Sequence, residues 1–200
     1  MTTSYEVGGR TRQKLRTRTA VVDAARALLA EGLTPTVEAA AERASISRTT
    51  AYRYFPSQRA LLVAAHPEVE WRSLLPDDAP EDTAARLDTV VTAFLRLIVD
   101  TEPQQRTMLR LSLEEGGHGD LPLRKGRAIA WIGEALSPLR GQLPEDSWRR
   151  LVLAIRSAAG IEALVWLVDV AGLSRDEAVA VMRWSAGALL RAAIADTASA

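Results

Sequence analysis

Residues 36–55, from Thr36 to Phe55, read TVEAAAERASISRTTAYRYF, and this stretch decides the fold. Thr36 and Ser47 are residue types that cap helix N-termini, and each stands directly before a helix-favouring run. The spacing predicts a short helix over about Val37–Ala44, a turn at Ser45 and Ile46, and a second helix from just after Ser47 to Tyr54. Pro56 stops the second helix, because the residue before a proline is pushed out of the helical region. At about 100° per residue, Ala40 and Ala41 face inward on the first helix, while Ala51 and Phe55 anchor the second. Ile46 serves as the apolar plug of the turn. Arg48, Thr49 and Tyr52 are left on one outward face.

A helix pair that reads DNA needs a short first helix, a tight turn and a second helix presented to solvent. Arg48 falls in the first turn of the second helix, and an arginine fork bonds O6 and N7 of guanine together. The Thr49 methyl suits a thymine methyl. The hydroxyls of Thr50, Tyr52 and Tyr54 suit phosphates, contacts that set register rather than read sequence. Spacing alone fits equally well a packed helix pair whose tyrosines are core edges.

Around this stretch, a first helix is expected from about Arg16 to Glu31, ending at Gly32, with Val21, Ala25, Leu28 and Leu29 as its inward stripe. Ser57 caps a fourth helix carrying Leu61, Leu62 and Ala65. From Arg18 to Leu62 the chain resembles the N-terminal domain of TetR-type repressors. The resemblance is carried by Arg18, Val21, Ala24, Ala25, Gly32, Thr36, Tyr52 and Phe55, then Pro56, Ser57, Leu61 and Leu62. It departs from the family pattern at the usual turn glycine, here Ser45, where a slightly different turn is expected. Ala40 and Ala51 replace larger aliphatic residues, and Gln58 replaces a lysine that contacts phosphate. The resemblance implies DNA contact through Arg18, Thr36, Ser47, Arg48, Thr49, Thr50, Tyr52, Arg53 and Tyr54. It further implies a homodimer on a palindromic operator, a repressor role and control by a small-molecule effector.

Charge is unevenly distributed. The chain holds 25 basic and 25 acidic residues, yet the first 60 contain ten basic and five acidic ones, so the rest hold 15 and 20. A basic head suits a polyanion. Arg10, Arg12, Lys14, Arg16 and Arg18 alternate along an N-terminal stretch read as a flexible basic arm over residues 1–15, poised over phosphates or the minor groove. The expected organisation is then a helix-turn-helix domain over 16–66, a proline-containing connection over 67–82, and a helical effector-binding and dimerisation domain over 83–200.

The body pattern is helical throughout, giving an all-α chain of about nine helices. Helices are expected over about Thr83–Asp100, Pro103–Glu115, Leu123–Leu136, Glu145–Ala171 and, after a Ser174–Glu177 capping box, to about Ala195. The segment Gly116–Asp120 must be a loop. The last two helices are expected to form the dimer seam, with Val179, Met182, Ala186, Leu189, Leu190 and Ala193 as its face. Ala158, Ala159, Gly160, Gly187 and Ala188 are small enough for close helix approach. Phe94, Met108, Leu111, Trp131 and Trp166 are candidate lining for an effector cavity, though cores share these residue types. Glu162 and Asp169 flank Trp166 and would favour a cationic ligand; alternatively they pair with an arginine such as Arg110 or Arg156.

Several function classes find no support. There is no cysteine, which excludes disulfides and thiolate metal sites. His66 and His118 are far apart, and no catalytic or nucleotide-binding motif is present, so no enzyme, metal or cofactor is expected. The stretch from Met1 to Gly9 shows no apolar h-region of a signal peptide, and charged residues break every long apolar run, so a cytoplasmic protein is expected. The competing reading is a helical interaction or ligand-binding protein whose helix-turn-helix no longer meets DNA.

Overall fold

The computed structural model of the protein describes residues 4–65, 72–113 and 127–198. The expected glycine loop Gly116–Asp120, His66, His118 and the start of the connection at Pro67 lie outside these residues. The described residues are helical and contain no strand, as the apolar periodicity requires. They divide into two compact units.

The head consists of α1 (Ser4–Ala30), α2 (Val37–Arg43), α3 (Arg48–Tyr54) and α4 (Gln58–Ala65). The last turn of α6 (Glu102–Leu113), from Arg110 onward, also belongs to it, and Arg110 Nη2 donates to Thr34 Oγ1 at 3.2 Å. From Ser4 onward the stretch expected as a flexible arm is instead part of α1, which begins at Ser4 rather than about Arg16. Arg, Gln, Lys and Leu between residues 10 and 16 are good helix formers, and the helix already nucleated on the core continues through them. Thr17 Oγ1 supports it by donating to the Gln13 carbonyl at 3.0 Å.

Val21, Ala25 and Leu29 of α1 are buried with Ala40, Ala41, Ala51, Phe55, Leu61 and Leu62. Leu28 and Ile46 are only half-buried. The small Ala40 and Ala51 let the helices approach closely, so Val22 and Ala24 complete the α1 stripe and Ile46 stays at the rim. Arg43 donates twice to Glu31, at 2.9 and 2.6 Å, fastening the end of α2 to the end of α1. Arg26 Nε donates to the Ala65 carbonyl at 3.1 Å and holds α4.

The body contains α5 (Thr83–Asp100), the first turns of α6, α7 (Arg127–Ala135), a 3₁₀ turn (Ser137–Leu139), α8 (Glu145–Ala158), α9 (Ile161–Val165) with a π-helical turn (Trp166–Val170), and α10 (Arg175–Ala198). The helix expected over Glu145–Ala171 is therefore broken at Ala159 and Gly160, whose backbones are extended. A Cβ at Gly160 would run into the Arg156 guanidinium, so the close approach that this glycine allows is to its own chain. Taken as one kinked helix, the two halves leave the expected nine among the described residues. The core is centred on Phe94 and Trp131, packed edge to face at 6.0 Å, with Ile98, Ile132, Leu151, Ile155, Leu164 and Leu190 around them.

Glu145–Val170 and Arg175–Asp196 are each long and apolar enough to cross a membrane by length and composition. Charged residues still interrupt both stretches, as expected; each passes only as a window that tolerates up to two charges. Both helices contribute side chains to the helical core, a burial that gives soluble proteins the same composition.

An ion network joins α6, the π turn and α10. Glu102, 6% exposed, accepts from Arg106 Nε at 2.7 Å and from Arg175 Nε at 2.6 Å. Arg106 also grips Asp169 with both terminal nitrogens, at 2.6 and 2.8 Å. Burial raises the Glu102 carboxyl, but the hydrogen bonds from Arg175 and Arg106 outweigh it and hold the group below the ordinary carboxylate range. Changing Glu102 to Ala leaves two arginines facing each other. The expected loss is about 2 kcal/mol, less than a fully buried pair because both arginines reach solvent. A carboxyl depressed by folding stabilises fully above its unfolded value and loses that contribution as pH falls through the folded one. Thermal melts should therefore show the Glu102→Ala deficit at about pH 7 and a narrowing gap as the medium is acidified towards about pH 3.

Candidate nucleic-acid interface

The two short helices are set by their caps. Thr36 Oγ1 accepts from the Ala39 amide at 3.1 Å at the start of α2. Ser47 Oγ accepts from the Thr50 amide at 3.3 Å and donates to Thr50 Oγ1 at 2.8 Å at the start of α3. Between them Ser45 has φ +55°, the left-handed conformation that glycine adopts without cost. The expectation of an altered turn is thus corrected: serine takes the glycine geometry, under strain. Ser45→Gly should raise head stability by about 0.5–1 kcal/mol, the relief of strain outweighing the added chain entropy, as read in urea unfolding.

Ala51 and Phe55 anchor α3 from below and leave Arg48, Thr49, Tyr52 and Arg53 exposed. Thr50 and Tyr54 are half-buried, Tyr54 lying under the Arg53 guanidinium at 5.4 Å. Arg18 of α1 is exposed and stacks over the Phe55 ring at 5.5 Å, which brings its charge to the end of α3. Thr36 and Ser47 are exposed beside the two helix starts. Arg12, Lys14 and Arg16 are exposed along α1. Gln58 is turned inward, its amide donating to the Pro35 carbonyl at 2.9 Å, so it secures the loop before α2.

One partner was not legible beforehand. Tyr52 Oη donates to Glu38 Oε1 at 2.5 Å, linking α3 to the first turn of α2. That bond holds the Glu38 carboxyl below its ordinary value and raises the Tyr52 phenol, while the nearby charge of Arg48 lowers both. The only sequence signal was an acid two residues after Thr36, a position where acids are common on solvated faces.

The candidate ligand residues do not form one group. Phe94 and Trp131 fill the body core, and Trp131 Nε1 donates to the Arg72 carbonyl at 3.1 Å. Met108 is buried, Leu111 is half-buried in the part of α6 that belongs to the head, and Trp166 is 58% exposed. Glu162 pairs with Arg156 at 3.2 Å and Asp169 with Arg106, so the arginine alternative holds, with Arg106 in place of Arg110. Carboxylates already neutralised give a cationic ligand little to recognise. No group of metal-ligating side chains occurs among the described residues.

The expected dimer face is also corrected. Met182, Ala186 and Leu190 are buried in their own core, with Val179, Leu189 and Ala193 packed against it. The opposite stripe of α10 is the more exposed one, with Val181 at 39% and Trp184 at 69%, continued by half-buried Ala188 and exposed Ala192.

A capped two-helix motif with an outward basic helix, carried on a small helical head, defines a DNA-binding helix-turn-helix protein. Residues 21–65 match the family model of the bacterial regulatory proteins of the tetR family, so the head carries the DNA-binding domain of that family. No curated protein matches the chain.

Proposed function

We propose that the protein is a sequence-specific transcriptional repressor that binds a palindromic operator as a homodimer and releases it on binding a small-molecule effector. The observation that carries this reading is the exposed α3 face, Arg48, Thr49, Tyr52 and Arg53, on a tetR-family head. Arg48 reads guanine and Thr49 a neighbouring thymine, while Arg18, Thr36, Ser47, Thr50, Tyr52, Arg53 and Tyr54 position the head on phosphates. The exposed basic residues of α1 add a sequence-independent attraction.

Dimerisation is supported by the stripe of α10 that carries exposed Val181, Trp184 and Ala192 with half-buried Ala188, and by the groove beside it. That groove, of about 370 Å³, runs between α8 and α10 and is floored by small residues including Ala154, Ala192 and Ala193. Effector control and a cytoplasmic location rest on the family of the head domain. Selection of bound duplexes from a random pool tests the reading. A two-fold symmetric consensus is expected; retention of no sequence above background would overturn it.

A further inference from the structure

Tyr52 and Glu38 face each other on the surface that the proposed function turns towards DNA, and the inference here rests on that reading. A phenol has one proton to donate. In the free protein Tyr52 spends it on the Glu38 carboxylate, at 2.5 Å, and Tyr52 itself is 41% exposed. A phosphate oxygen needs the same proton, because it offers only acceptors. Two anions cannot share one donor at close range without repulsion. The charge of Arg48 acts on both groups and favours their anionic forms.

We propose that Glu38 is a brake built into the DNA-reading surface: it holds the Tyr52 hydroxyl until a DNA phosphate displaces it, and it thereby lowers affinity for every duplex alike. Sequence choice stays with Arg48 and Thr49. A loss common to all duplexes leaves the operator-to-random ratio unchanged and sets instead how much of the protein stays off DNA altogether.

The test uses the full chain, a random-sequence duplex and the variants Glu38→Ala, Tyr52→Phe and the double change, followed by fluorescence anisotropy at about 0.15 M salt. Glu38→Ala is expected to bind the random duplex about tenfold more tightly than the parent, the scale of one charge-assisted hydrogen bond gained. In the Tyr52→Phe background the same change should gain about twofold or less, since no hydroxyl remains to be released. An unchanged or weakened Glu38→Ala, or an equal gain in both backgrounds, overturns the proposal; the second result would leave plain charge repulsion. Binding by the parent separates this failure from that of the functional reading, which falls only if the parent itself ignores duplex DNA. Carbon-13 tyrosine spectra read the bond without DNA: the Tyr52 phenol should titrate lower in Glu38→Ala.

Discussion

Trp184→Asp should turn the protein into a monomer and weaken operator binding by about 10²–10⁴-fold, the avidity that a linked second half-site supplies. Trp184 is 69% exposed and therefore contributes little to its own fold, so the variant should keep its helical spectrum and melting temperature. It lies one turn from Val181 and one turn from Ala188 on the stripe opposite the buried Met182 and Leu190. A large aromatic flanked by small residues is the usual anchor of a helical interface, and an aspartate there would be buried unpaired. Light scattering on the eluted protein gives the mass directly. A dimer that persists in Trp184→Asp at micromolar concentration would place the seam elsewhere.

Arg48→Ala should lose about 10–100-fold in preference for the selected operator over random duplex, corresponding to about 1–3 kcal/mol for a bidentate arginine–guanine contact. Affinity for random duplex should fall much less, because Arg12, Lys14, Arg16, Arg18 and Arg53 retain their attraction for phosphates. Arg48 is exposed in the first turn of α3, and within the protein its charge acts on Glu38 and Tyr52. Competition titrations with labelled operator and unlabelled random DNA measure the ratio. An equal loss on both duplexes would make Arg48 a phosphate contact and move base reading to Thr49 and its neighbours.

The DNA-reading head was legible because its signals are local. Thr36 and Ser47 cap the helices on which they were read, and Ala40, Ala41, Ala51 and Phe55 are buried as a 100° repeat requires. Capping and one-sided periodicity depend on neighbours within about four residues, so a linear sequence contains them whole. The extent of α1 was underestimated for a related reason: polar residues without an apolar stripe give no periodic signal, although their helix propensity is high.

Tertiary structure decided what depends on partners distant in the chain. Which apolar side of α10 turns inward is set by competition for one core, and Met182, Ala186 and Leu190 won it over Val181 and Trp184. Asp169 found Arg106, and Glu102 found Arg175, across 63 and 73 positions. Tyr52 found Glu38 only because a tight turn, held by a strained Ser45, folds α3 back on α2. Local propensity specifies the helices of this protein; the pairing of charges and the choice of buried face arise only once those helices pack, because both depend on separations that packing alone creates.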